Sequence, residues 1–75
     1  MARSSLSSVL GEEIRKTRVA AGLTQEELAF KAGISRNYVS LLELNAKSPT
    51  IETLTRICKV LHVKVSALIA RTESK

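Results

Sequence analysis

The stretch QEELAFKAGISRNYVSLLEL, Gln25 to Leu44, constrains this fold more than any other part of the chain. Gly33 sits in its middle and can supply the positive φ that a tight turn needs. Ala29, four residues before the glycine, is small enough to let a following helix approach closely. Val39 and Leu42, after the turn, form an apolar stripe that points back toward Leu28 and Ala32. The spacing therefore predicts two short helices crossing steeply around Gly33. The inner side of the second helix is committed to packing, and its outer side is left over.

The flanking sequence predicts three more helices. Leu10, Ile14, Thr17, Arg18 and Ala21 recur at helical spacing, so a first helix is expected from about Ser8 to Ala21, with Gly22 as its left-handed cap. Leu23 then enters the core. Thr24 and Glu27 have the spacing of a capping box at the start of the second helix, with Leu23 and Leu28 as its staple. That helix ends at Ala32. Ser35 caps the third helix, expected to run to about Asn45, a residue type that tolerates a left-handed exit. Lys47 to Thr50 reads as a loop, and Thr50 caps a fourth helix from Ile51 to about Leu61. Ile51, Leu54, Ile57, Cys58 and Leu61 are its expected inward residues, and His62 its exit turn. Val65, Leu68 and Ile69 mark a short fifth helix. The expected fold is all-α: a flexible arm over residues 1–8, one five-helix domain over 9–70, and a polar tail over 71–75.

Composition narrows the chemistry. In 75 residues there is one cysteine, Cys58, and one histidine, His62, so neither an internal disulfide nor a zinc site is expected. No cofactor is implied. The expected role of Cys58 is that of a small buried hydrophobe rather than a redox sensor. No apolar run approaches the ~18 residues of a membrane span, and Arg3 is followed by small polar residues instead of a secretory segment. The expected location is the bacterial cytosol or nucleoid. Without clustered His, Asp or Cys, and without a Gly-rich phosphate loop, an enzyme is not expected. Twelve Lys and Arg against seven Asp and Glu give a formal charge of +5, which suits a nucleic-acid partner without specifying one.

Projected at about 100° per residue, the third helix turns Asn37, Ser40, Leu41 and Leu44 away from Val39 and Leu42. Arg36 lies on the flank. Two helices around a tight turn, with a free outer face on the second, make a helix-turn-helix, whose second helix can enter a DNA major groove. Arg36 can fork onto guanine and Asn37 can pair with adenine. Ser40 can reach bases or phosphate, and Leu41 can meet a thymine methyl. These four are the candidate base contacts. Gln25 opens the second helix, where its amide and the free backbone N–H groups can hold a phosphate. Thr24, Ser35, Tyr38, Asn45 and Lys47 complete the candidate phosphate set. The competing reading is a protein-binding module that uses Leu41 and Leu44 as its patch.

The stretches LTQEELAFKAGISRNYVSLLE and SPTIETLTRICKVL resemble the phage-repressor (Cro/XRE) helix-turn-helix family, and the likeness extends over about Leu10 to Ile69. The resemblance implies a five-helix bundle whose third helix reads bases, and a dimer on a palindromic operator. It also implies an ion pair between Arg18 and Glu43, so that Arg18 is structural and not a DNA contact. The sequence departs from the family pattern in three places. Leu41 stands where a polar or basic residue is common, Leu44-Asn45 where Arg-Gly is usual, and His62 where glycine follows the fourth helix.

One short reading helix gives few phosphate contacts, so a homodimer on double-stranded DNA is expected, reading half-sites about one helical turn apart. Its candidate interface is Val63, Val65, Leu68 and Ile69. Such a dimer would act by occupancy, blocking RNA polymerase or touching it from a nearby site, with control through the protein's own level. Among small members of the family, phage repressors, antitoxins and restriction–modification controller proteins, the last fit best.

Overall fold

The computed structural model describes residues 6–73. Five helices follow one another: α1 (Leu6–Ala20), α2 (Gln25–Ala32), α3 (Arg36–Glu43), α4 (Ile51–Leu61) and α5 (Val65–Glu73). There is no strand among the described residues. α1 packs on α3 and α5, α2 packs on α3 and α4, and α4 packs on α5. The core where they meet is aliphatic. Ile14, Leu28, Val39, Leu42, Ile57 and Leu68 are enclosed, with Leu10, Ala29, Ala32, Leu54, Cys58 and Leu61 around them. Each large aliphatic residue buried this way stabilises by about 1.5–3 kcal/mol.

The helix ends are set locally. Thr24 Oγ1 accepts from the Glu27 backbone N–H at 3.0 Å, and Glu27 Oε1 accepts from the Thr24 N–H at 2.8 Å, a complete capping box. Gly33 ends α2 with φ 73°. Ser35 Oγ accepts from Tyr38 N–H and Thr50 Oγ1 from Thr53 N–H, each at 3.0 Å. His62 closes α4 in the left-handed region at φ 60°, and Asn45 does so after α3 at φ 64°.

Several boundaries and faces differ from the sequence expectations. α1 starts at Leu6, inside the expected arm; Met1 to Ser5 lie outside the described residues. α1 ends at Ala20, and Ala21 is exposed instead of extending the apolar face. α3 ends at Glu43, because the backbone already turns at Leu44 and Asn45. Ile51 is 79% exposed rather than inward: it occupies the first position of α4, and the buried stripe starts one turn later at Leu54. At the other end α5 continues to Glu73, and Thr72 is buried, donating to the Ile69 carbonyl. Arg71 and Thr72 thus belong to the domain and not to a tail. Ser74 and Lys75 lie outside the described residues.

Candidate nucleic-acid interface

α3 presents two contrasting sides. Val39 and Leu42 are in the core, and Glu43 is buried among polar partners. Arg36 and Asn37, in the first turn, are exposed and make no side-chain hydrogen bond with the described residues. Ser40 and Leu41 are half-buried on the same outer side, and Leu44 is 71% exposed at the end. The four candidate base contacts therefore lie along one outward stretch, with the two longest polar side chains at its N-terminal end. The guanidinium and the amide both keep their full hydrogen-bonding capacity for an external partner.

The position of α3 is held by a polar cluster centred on Glu43. Arg18 Nε donates to Glu43 Oε2 at 2.7 Å and Arg18 Nη2 to Oε1 at 3.1 Å, a two-pronged contact between α1 and α3. Arg18 Nη1 also donates to the Leu23 carbonyl at 2.8 Å. The Arg18 and Glu43 side chains are 12% and 2% exposed, so the pair is shielded from water. Gln25 Nε2 donates to Glu43 Oε1 at 3.0 Å, adding α2 to the same carboxylate. Three helices converge on one acid, and no buried side-chain nitrogen or oxygen among the described residues is left without a partner.

Gln25 thus has a structural task that its spacing did not signal. One amide hydrogen goes to Glu43, and the other makes no hydrogen bond with the described residues. The signal that could have found this bond is a glutamine opening α2, since that helix end lies beside the Arg18–Glu43 pair. The other candidate phosphate contacts are similarly divided. Thr24 and Ser35 spend an oxygen lone pair on capping, and each hydroxyl keeps its hydrogen to donate. Tyr38 is half-buried and packs on the core. Lys47 is exposed, with no side-chain partner among the described residues. Asn45 turns its side-chain oxygen against Gly11 of α1, so what it can offer outward is the amide nitrogen. Backbone N–H groups of Ala46 and Lys47 both donate to the Leu41 carbonyl, at 2.9 and 3.3 Å, and so tie this loop to α3.

The structure separates the four candidate dimer residues. Leu68 is fully enclosed by the domain's own core and offers no outward surface. Val63, Val65 and Ile69 are half-buried against that core and still present apolar area outward. Cys58 is buried, and removal from water pushes its thiol up from the ordinary value. Phe30, on the outer side of α2, is 87% exposed, a feature that helical spacing alone did not single out.

Residues 14–68, most of the five-helix domain, match the helix-turn-helix family. The chain is a helix-turn-helix protein of the Cro/XRE type. This family consists of DNA-binding transcription regulators. Among its relatives is the control protein C.SmaI of Serratia marcescens, 32% identical over 88% of this chain and 79% of its own length. The fold is also that of the clp gene regulator ClgR from Corynebacterium glutamicum, with a TM-score of 0.93 at 29% identity over 97% of this chain and 78% of that one. The restriction–modification controller protein C.Esp1396I superposes with a TM-score of 0.85 at 34% identity, over 97% of this chain and all of its own. Among the described residues no helix is long and apolar enough to cross a membrane.

Proposed function

We propose that this helix-turn-helix protein is a sequence-specific transcriptional regulator that binds a palindromic operator as a homodimer, with α3 in the major groove. The observation that carries this reading is the outer side of α3. Arg36 and Asn37 are exposed and unengaged on a helix whose other side is fixed by Val39, Leu42 and the Glu43 cluster. A rigid helix with a free guanidinium and a free amide at its leading end is suited to reading guanine and adenine edges. Ser40 and Leu41 extend the base-reading stretch. Gln25 and Thr24 at the start of α2, Ser35 and Tyr38 at the start of α3, and Asn45 and Lys47 after it would hold the backbone on either side. Val63, Val65 and Ile69 would join the two protomers.

The likeness to C.SmaI and C.Esp1396I favours a regulator of the controller type, one whose own concentration sets gene output through operator occupancy. Contact with RNA polymerase from an adjacent site, and a place in the cytosol or nucleoid, belong to the same reading. A second reading has one observation in its favour: exposed Leu44 beside half-buried Leu41 would suit an apolar protein partner.

Selection from a random duplex pool, followed by gel shifts across a salt series, tests the reading. The expected result is an enriched two-fold symmetric site with half-sites about one helical turn apart. Affinity for it should fall linearly on a log–log salt plot. A pool with no enriched sequence would sink the DNA reading. A partner whose binding ignores salt and is lost on Leu44→Ala would favour the protein module.

A further inference from the structure

Gly11 lies inside α1, where alanine would ordinarily serve a helix better. It is buried, and a side chain there has no room. A Cβ on residue 11 would overlap both the side-chain oxygen of Asn45 and the backbone carbonyl oxygen of Leu42. The first obstacle can swing aside. The second is the backbone of α3 itself and can move only with the end of the helix. Asn45 meanwhile holds a left-handed turn at φ 64°, and from it the chain passes through Ala46 to Lys47. The Ala46 and Lys47 amides both bond back to Leu41, so loop and helix end form one unit.

We infer that Gly11 is a positioning residue for DNA binding: its missing side chain lets α1 clamp the end of α3, and that contact sets where Asn45 and Lys47 meet the DNA backbone. The inference rests on the DNA reading above and adds to it a residue far from any base. Any side chain at position 11 pushes the Leu42–Lys47 segment outward while leaving the first turn of α3, with Arg36 and Asn37, on its own cap at Ser35. The effect should therefore fall on backbone contacts shared by all sequences, and base preference should survive.

The test compares the full chain with Gly11→Ala, Asn45→Gly and the double variant. Each is checked for folding by circular dichroism and titrated against the selected operator and a non-specific duplex across a salt series. Gly11→Ala is expected to weaken both duplexes by a similar factor and to lower the salt slope by about one unit, as loss of one phosphate contact does. Backbone amide shifts should move at Asn45 to Lys47 and stay in place at Arg36 and Asn37. Asn45→Gly gives up its own amide contact, keeps the left-handed turn and removes one of the two obstacles, so Gly11→Ala should cost less affinity in that background than it does in the parent. Binding by Gly11→Ala that matches the parent on both duplexes overturns the inference, as does a selective loss on the operator alone. Failure of both Gly11→Ala and the double variant to fold overturns it too, since Gly11 would then serve packing alone. A parent chain that binds neither duplex would sink the DNA reading instead, a separate outcome.

Discussion

Toward the molecule's interior, α3 offers Val39, Leu42 and Glu43, each buried and engaged by other helices; toward solvent it offers Arg36 and Asn37, which engage nothing in the described chain. The two sides arise from the same eight residues. The inner side is already satisfied, so substitutions there should register as lost stability. The outer side carries hydrogen-bonding capacity that the fold does not use, so substitutions there should register as lost binding. Under the proposed function, a helix held firmly on one side and unspent on the other would serve as a reading head, with the Glu43 cluster as its mount.

The largest expected effect attacks the inner side. Glu43→Ala leaves the Arg18 guanidinium without its carboxylate and the Gln25 amide without its acceptor. Breaking a buried pair of this kind costs about 3–5 kcal/mol. In a domain of this size each kcal/mol shifts the melting temperature by roughly 4–8 °C, so a drop of more than about 10 °C is expected in thermal unfolding. A variant that melts with the parent would show that the cluster is not the mount.

The outer side comes next. Arg36→Ala should leave the melting temperature in place and weaken operator binding by about 1–3 kcal/mol, with relaxed preference at one base position. Gel shifts on the selected site and on single-base variants of it measure this. If stability fell and preference stayed, the two sides would not be separate in function. Lys47→Ala should act more gently, weakening all duplexes alike and reducing the salt slope by roughly 0.9. A change confined to the operator would place Lys47 among the base readers instead.

The smallest effect concerns a core position. Burial raises the Cys58 thiol pKa, so the folded chain keeps its proton where the unfolded chain has lost it. Below the ordinary thiol range, about 8.5, this contributes nothing; above it the unfolded state binds fewer protons and stability falls as pH rises. Urea unfolding at neutral and alkaline pH should show a decline that is smaller in Cys58→Ala. Equal declines in the two proteins would mean that the thiol does not titrate in the way its burial implies.

Much of this division was legible in the sequence because its determinants are local. Thr24 with Glu27, Ser35, Gly33 and Thr50 specify helix ends through bonds that span a few residues, and those ends formed where the residue types called for them, whereas α3 stops at Glu43, short of the left-handed Asn45. The sides of α3 followed from its period. What escaped the sequence depends on meetings between distant segments. Gly11 has no meaning until Asn45 and Leu42 arrive beside it. Gln25 reads as a polar helix start until Glu43 is found within hydrogen-bonding distance. Arg71 looked like tail until its guanidinium was found 3.3 Å from Thr17 Oγ1, across the α1–α5 contact. Ile51 satisfies the helical period and still faces water, because periodicity says nothing about where the neighbouring helices stop.

The most direct test is to titrate isotope-labelled protein with the selected operator duplex and follow each residue's amide and side-chain signals. If α3 enters the groove, the Arg36 and Asn37 side chains and the Ser40 and Gln25 signals should move first and furthest, while those of Leu68 and Ile57 stay still. If the largest changes instead lay on Val63, Val65 and Ile69 with α3 silent, the reading head would be elsewhere and its outer side would have to be explained by something other than DNA.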